Sequence, residues 1–208
     1  MTKGILGRKL GMTQVFDDKG RVVPVTVVEA GPCTVVQKKT VDSDGYSAIQ
    51  VGFGDIQERK VTKPRQGHFA RGKVKPARWL RELRLDDVTA YEVGQQLGAG
   101  LFAPGERVDV TGISRGKGFA GGIRRHGFKR GPMAHGSKYH RGPGSLQSRD
   151  ASRVFKGRKL PGHLGAVRRT ALNLSVVAVD TDKNLILIRG AVPGVHGGLV
   201  TIRDSVKA

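Results

Sequence analysis

The sequence predicts a mainly β protein: a closed antiparallel β-barrel with a small α+β insertion and a long extended internal loop. Runs of β-branched residues separated by turn chemistry, one set at each end of the chain, predict the barrel. A glycine- and cation-rich stretch between them, poor in apolar residues, predicts the loop. A mixed region ahead of that stretch, with one short helical signal, predicts the insertion.

In chain order, residues 14–16, 22–29, 34–39 and 46–53 read as strands. Asp17-Asp18-Lys19-Gly20, Gly31-Pro32 and residues 42–45 punctuate them as turns, which is the signature of an antiparallel meander. Residues 64–70 carry a weak helical signal, weakened by Gly67 and Gly72. Leu83 and Leu85 alternate like a strand, residues 91–97 are ambiguous, and residues 106–110 form another short strand before Gly112. Strands resume at residues 173–179, 185–189 and 199–203, broken by a turn at 180–184 and a Pro193-Gly194 corner. The near-continuous apolar run Leu174, Val176, Val177 and Val179 suits a small barrel, in which closure removes the exposed edges.

The charge resolves the middle of the chain. Over 208 residues, 37 Lys and Arg face 17 Asp and Glu, a net of +20 that calls for a polyanionic partner, nucleic acid first and membrane surface second. Residues 114–169 hold 15 of those cations against Asp150 alone, while the remainder has a net of only +6. The same window holds 12 of the 31 glycines and three prolines, so it cannot bury a core of its own. An internal loop of that length needs a partner to order it. The expected organisation is residues 1–53 as the first part of the barrel, 54–113 as the insertion and a returning barrel strand, 114–169 as an extended basic RNA-penetrating arm, and 170–208 as the closing strands.

Phosphates attract cations, glycine allows close backbone approach, and aromatic or Arg planes stack on unpaired bases. The window has all three, with Phe119, Phe128, Tyr139 and Phe155 spaced among its cations. The residues expected to bind RNA are Arg115, Lys117, Arg124, Arg125, His126, Lys129, Arg130, His135, Lys138, His140, Arg141, Gln147, Arg149, Arg153, Lys156, Arg158, Lys159, His163, Arg168 and Arg169.

Catalytic readings lack support. Gly112, Gly116, Lys117 and Gly118 have neither the spacing of a phosphate-binding loop nor a Ser or Thr after the Lys. His126, His135 and His140 could serve an RNA-modifying enzyme as acid–base groups, but no paired carboxylates accompany them. Ser114, Ser137, Ser145, Ser148 and Ser152 sit in no nucleophile elbow. The single cysteine, Cys33, excludes a disulfide framework and a zinc ribbon, fits a reducing cytoplasm and reads as a small packed residue. Trp79 reads as a packing anchor of the insertion. Neither a cofactor, a metal nor a small-molecule substrate is expected. The first dozen residues contain no signal-peptide apolar region, the apolar stretches are too short to span a membrane, and the basic window has no amphipathic helical stripe for a membrane surface.

Several longer motifs occur together: Gly4-Ile5-Leu6-Gly7-Arg8-Lys9-Leu10-Gly11-Met12-Thr13, the run Val108-Asp109-Val110-Thr111-Gly112-Ile113-Ser114-Arg115-Gly116-Lys117-Gly118-Phe119-Ala120-Gly121, Pro143-Gly144-Ser145, Val154-Phe155-Lys156-Gly157, and Arg189-Gly190-Ala191-Val192-Pro193-Gly194. In this order, over nearly the whole chain, they resemble the bacterial large-subunit ribosomal protein L-three family. The resemblance implies a translation-protein-type barrel and a structural, non-enzymatic role in the cytoplasmic large subunit. It implies binding near the 3′ end of 23S rRNA, a part in early assembly, an arm reaching toward the peptidyl-transferase centre, and ribosomal proteins L-fourteen and L-nineteen as neighbours. The arm would comprise two stretches, 115–141 and 153–169, with a tip at 144–152. Some members carry a methylated Gln after a Gly-Ser-apolar-Gly sequence; here Gly144-Ser145-Leu146 runs directly into Gln147, and the missing Gly counts against methylation of Gln147.

Overall fold

The computed structural model describes residues 3–147 and 149–207; Ser148, in the expected arm tip, lies outside the described residues. In chain order the strands are β1 (Gly4–Phe16), β2 (Val22–Ala30), β3 (Cys33–Lys39), β4 (Ala48–Asp55), β5 (Ala77–Arg84), β6 (Gln96–Leu97), β7 (Arg107–Ile113), β8 (Phe119–Ala120), β9 (Gly162–His163), β10 (Arg168–Asp180), β11 (Leu185–Arg189) and β12 (Leu199–Asp204). The helices are α1 (Val41–Asp44), α2 (Lys63–Arg71) and α3 (Gly122–His126). The chain divides into two units: a body, Met1–Ser114 with Arg168–Ala208, and an arm, Arg115–Val167.

The body is built on a closed barrel in the order β1-β12-β7-β10-β11-β2, with every pairing antiparallel. Closure leaves no free edge on the barrel. Its interior is filled from alternating strand positions such as Ile5, Val28, Val108, Val110, Ile186, Ile188 and Ile202, all with no exposed surface. Each such side chain contributes roughly 1.5–3 kcal/mol by leaving water. Between β7 and β10 the register slips at Ala171/Leu174, where Asn173 takes a left-handed φ of 55°. The fully buried Asp109 holds this bulge, its Oδ1 accepting the Asn173 backbone N–H at 2.9 Å, and the Arg203 guanidinium lies 3.9 Å from its Oδ2. A buried carboxylate is tolerable there because it has both a donor and a counter-charge.

The second sheet of the body, in the order β5-β4-β3-β6, corrects the expectation that residues 1–53 belong to the barrel. After β2 the chain turns out of the barrel at Gly31-Pro32, and β3 and β4 pair with each other and with β5 and β6. The insertion therefore begins at Cys33, not at residue 54. The turn needs glycine: Gly31 has a φ of +89°, and a Cβ there would lie 2.7 Å from the Leu97 carbonyl oxygen. One face of this sheet, with Val35, Ile49, Val51, Phe53 and Leu83, shares a continuous core with the barrel. The other face is covered by α2, whose Phe69 packs with Val36, Val61 and Ala77. The helical signal at 64–70 thus corresponds to α2, which has Pro64 in its first turn, where proline fits.

Cys33 and Trp79 take the packing roles expected of them. The Cys33 thiol is buried and donates to the Leu6 carbonyl oxygen at 3.3 Å, and burial pushes its pKa up to about 12. Trp79 stacks on Phe53 with ring centroids 5.7 Å apart. The closing strands start earlier than expected: Arg168 and Arg169 lie on β10, paired with Ile113 and Gly112 of β7. These two cations belong to the body, because the β7–β10 ladder continues through them.

Candidate nucleic-acid interface

The arm has 13 Lys and Arg and one acid, Asp150. Among its described residues, Ala120 is the single buried hydrophobic side chain. With so little apolar burial, its shape comes from hydrogen bonds and from glycines that let chain segments touch. At its base Lys117 N–H donates to Leu164 O at 2.8 Å and Leu164 N–H to Gly118 O at 2.9 Å, leading into the two-residue ladder of β8 with β9. Beyond it, α3 ends in Arg124, Arg125 and His126.

Some of the expected RNA contacts are internal braces. Arg125 Nη1 and His126 Nε2 both donate to the Leu160 carbonyl oxygen, at 2.7 and 2.9 Å. His140 Nδ1 donates to Pro132 O at 2.9 Å, and the His140 carbonyl accepts the Gly131 N–H at 3.0 Å. Arg158 donates to the Ser145 carbonyl, and Arg153 lies over the Phe155 ring with its guanidinium carbon 5.3 Å from the centroid. None of these histidines is oriented by a carboxylate, the arrangement that a general acid–base pair would need.

The remaining cations are directed to solvent. Arg115, Lys117, Arg124, Lys129, Arg130, Lys138, Arg141, Arg149, Lys156 and Lys159 are exposed, and their side chains make no hydrogen bond or ion pair among the described residues. His135, Gln147 and His163 are exposed beside them. Arg168 and Arg169 are exposed too, on the body strand β10. A surface with this much positive charge has the chemistry to neutralise phosphates and release their counterions.

The four aromatics divide into two kinds. Phe119 is 81% exposed and Phe155 57%, so Phe119 is open to stacking and Phe155 is open on the face that Arg153 does not cover. Phe128 and Tyr139 instead pack on glycines. A Cβ at Gly122 would lie 2.7 Å from the Phe128 ring, and one at Gly131 would lie 2.0 Å from the Tyr139 carbonyl oxygen. Several of the arm's glycines thus serve its own folding, where sequence reasoning assigned them to RNA approach. Phe128 and Tyr139 also line a cleft of about 550 Å³ with Lys129, Arg158 and Lys159, a notch able to take a base against a ring and a phosphate against cations. Sequence reasoning missed Met133 and Val154, which are 64% and 45% exposed and add apolar surface for bases. Their signal was present as apolar residues in a segment without a core.

Fold and site together define a class: a β-barrel protein that carries a coreless cationic element suited to a polyanion. Residues 87–184, from just after β5 through β6, β7, the arm and β10 to the turn after it, match the family Ribosomal protein L3. The chain is similar over its full length to proteins named large ribosomal subunit protein uL3. It is 64% identical to that of Carboxydothermus hydrogenoformans over 207 residues, covering 100% of this chain and 99% of the relative. It is 62% identical to that of Pelotomaculum thermopropionicum over 208 residues, covering 100% and 99%. It is 59% identical to that of Heliobacterium modesticaldum over 206 residues, covering 99% and 98%. The chain belongs to the ribosomal protein L3 family, a structural and non-enzymatic family of the large ribosomal subunit. Among the described residues no helix is long and apolar enough to cross a membrane, and no group of three or more His, Cys, Asp or Glu could hold a metal ion.

Proposed function

We propose that this protein is a structural constituent of the large subunit of the cytoplasmic ribosome, in which the body is the folded anchor and residues 115–167 are the principal rRNA-binding element. The supporting observation is the set of ten exposed, unpaired arm cations on a segment with no core. RNA helices repel one another until counter-charge lies between them, and a coreless cationic segment can be placed where a folded domain would not fit. The reading extends to binding near the 3′ end of large-subunit rRNA early in assembly, to an arm directed toward the peptidyl-transferase centre, and to L-fourteen and L-nineteen as neighbours. In this organisation residues 33–97 are the insertion and 115–167 the arm. Gln147 enters this reading as an exposed RNA contact, not as a methylated residue.

Salt dependence of binding tests it. If the arm cations neutralise about ten phosphates, affinity for a transcript of the 3′ part of large-subunit rRNA falls with salt on a log–log slope of roughly −7 to −9. A nearly flat response would exclude the arm as the main contact.

A further inference from the structure

The body has an uneven charge of its own. Between residues 58 and 84, ten Lys and Arg face Glu58 and Glu82. The rest of the body, residues 1–57, 85–114 and 168–208, carries 14 cations and 14 acids and is neutral. The whole excess of the body therefore sits on residues 58–84, and most of it on the lobe formed by α2, the turn before it and the entry to β5. Such concentration works against a compact fold through self-repulsion, so a solubilising role would favour spreading it.

This lobe, unlike the arm, is anchored on a hydrophobic core cluster. Phe69 anchors α2 on the second sheet, Gln66 Nε2 donates to Glu58 O and Val61 O at 3.0 Å each, and Arg65 Nη2 donates to Ala77 O at 3.3 Å. The cations that face outward are different. Lys63, Arg71, Lys73 and Lys75 are exposed, with no side-chain hydrogen bond or ion pair among the described residues. Lys63 and Arg71 are eight residues apart on one helical stripe, about 12 Å along the axis. Gly67 lies between them with open space where its Cβ would be, so the face between the two cations is low. Lys73 adopts a left-handed φ of 52° in the turn that leads from α2 toward β5.

We propose that this lobe is a second RNA interface, separate from the arm, and that it reads the phosphate backbone of double-helical RNA. The proposal rests on the rRNA reading above. Double helix is favoured over single strand because residues 58–84 offer no exposed large hydrophobic side chain: Phe69 is buried, and Trp79 is spent on Phe53. The arm, by contrast, exposes Phe119, Met133 and Phe155. A surface of fixed cations without stacking rings can neutralise phosphates but cannot hold splayed bases. The same lack of apolar side chains argues against insertion into a lipid surface.

The experiment uses the full-length chain with a fluorescent RNA duplex of about 20 base pairs and a single strand of the same length, titrated over a range of salt. The variant Lys63→Gln/Arg71→Gln/Lys73→Gln/Lys75→Gln is expected to reduce the magnitude of the duplex slope by about 3 and to weaken duplex binding roughly tenfold, with a smaller effect on the single strand. The charge-keeping variant Lys63→Arg/Arg71→Lys/Lys73→Arg/Lys75→Arg is expected to bind as wild type and guards against misfolding as the cause. An arm variant, Lys129→Gln/Arg130→Gln/Lys138→Gln/Arg141→Gln, separates the two readings. Wild-type duplex binding by the lobe variant, with loss in the arm variant, overturns the second interface and leaves the arm reading standing. Wild-type binding by both overturns the rRNA reading as well. Equal losses on duplex and single strand overturn the assignment to double-helical RNA.

Discussion

In the body, strand after strand turns fully buried Val, Ile and Leu side chains into a core shared by the barrel and the second sheet. In the arm, one alanine is buried among the described residues, and contacts are made by carbonyl oxygens, two braced side chains on Leu160 and rings seated on glycine. The body is thus held by removal of apolar surface from water, which is strong and non-directional. The arm is held by hydrogen bonds that water can replace, each worth about 1 kcal/mol net. The difference teaches that 208 residues can hold two solutions to the same problem, one that supplies its own core and one that leaves counter-charge and stacking surface for RNA.

The largest test of this contrast is in the barrel. Ile202→Ala, which empties a fully buried site, is expected to cost about 3 kcal/mol, whereas Phe119→Ala at an 81% exposed ring should change stability by less than about 0.5 kcal/mol. Urea midpoints of the two variants measure both, and comparable losses would break the contrast. A smaller and local effect is expected from Gly131→Ala, whose Cβ would collide with the Tyr139 carbonyl. Amide exchange at residue 131, whose N–H donates to His140 O, should lose its protection while the body melts within about 0.5 kcal/mol of wild type. Retained protection would show that the seat of Tyr139 does not organise the arm.

The smallest effect concerns pH and the surface of the second sheet. The Tyr46 hydroxyl donates to Glu82 at 2.8 Å, with Lys39 Nζ 3.1 Å from the same carboxylate, and these contacts, the Tyr46 bond first, hold the Glu82 carboxyl below its ordinary value. A lowered folded pKa gives stability that is present above the unfolded carboxylate value, about 4.3, and lost as pH falls through the folded one. Tyr46→Phe should therefore cost less than about 0.5 kcal/mol at neutral pH, because the cluster is partly exposed, and less still once the carboxylate is protonated. Denaturant midpoints at neutral and strongly acidic pH would show it; a loss undiminished in acid would assign the effect to the Lys39 Nζ hydrogen bond to the Tyr46 hydroxyl, 2.8 Å long.

Much of this molecule was legible in its sequence because its signals are local. β-Branched runs bounded by Asp-Asp-Lys-Gly or Gly-Pro marked β2, β3 and β4, and the charge window marked the arm. What the sequence could not carry was partnership. Val35 and Val51 read as strand residues, but nothing in their pattern says that they belong to a second sheet and not to the barrel, since one alternation serves both. Likewise Arg125 and Arg124 are neighbours of the same type, and only the position of Leu160 makes one a brace and leaves the other to solvent. The charge of residues 58–84 is countable in the sequence, but only the fold separates it from the neutral remainder of the body.

The ladder between β7 and β10 has one further consequence. Ile113 and Arg168 are paired across it, so the two ends of the 115–167 segment are fastened to adjacent strands of a closed barrel. The segment is a cassette: its length and sequence can change while the clasp that holds it stays the same. Doubling such a loop adds only about 0.6 kcal/mol of closure entropy. A lineage could therefore lengthen, shorten or exchange the segment at little cost to the fold that carries it.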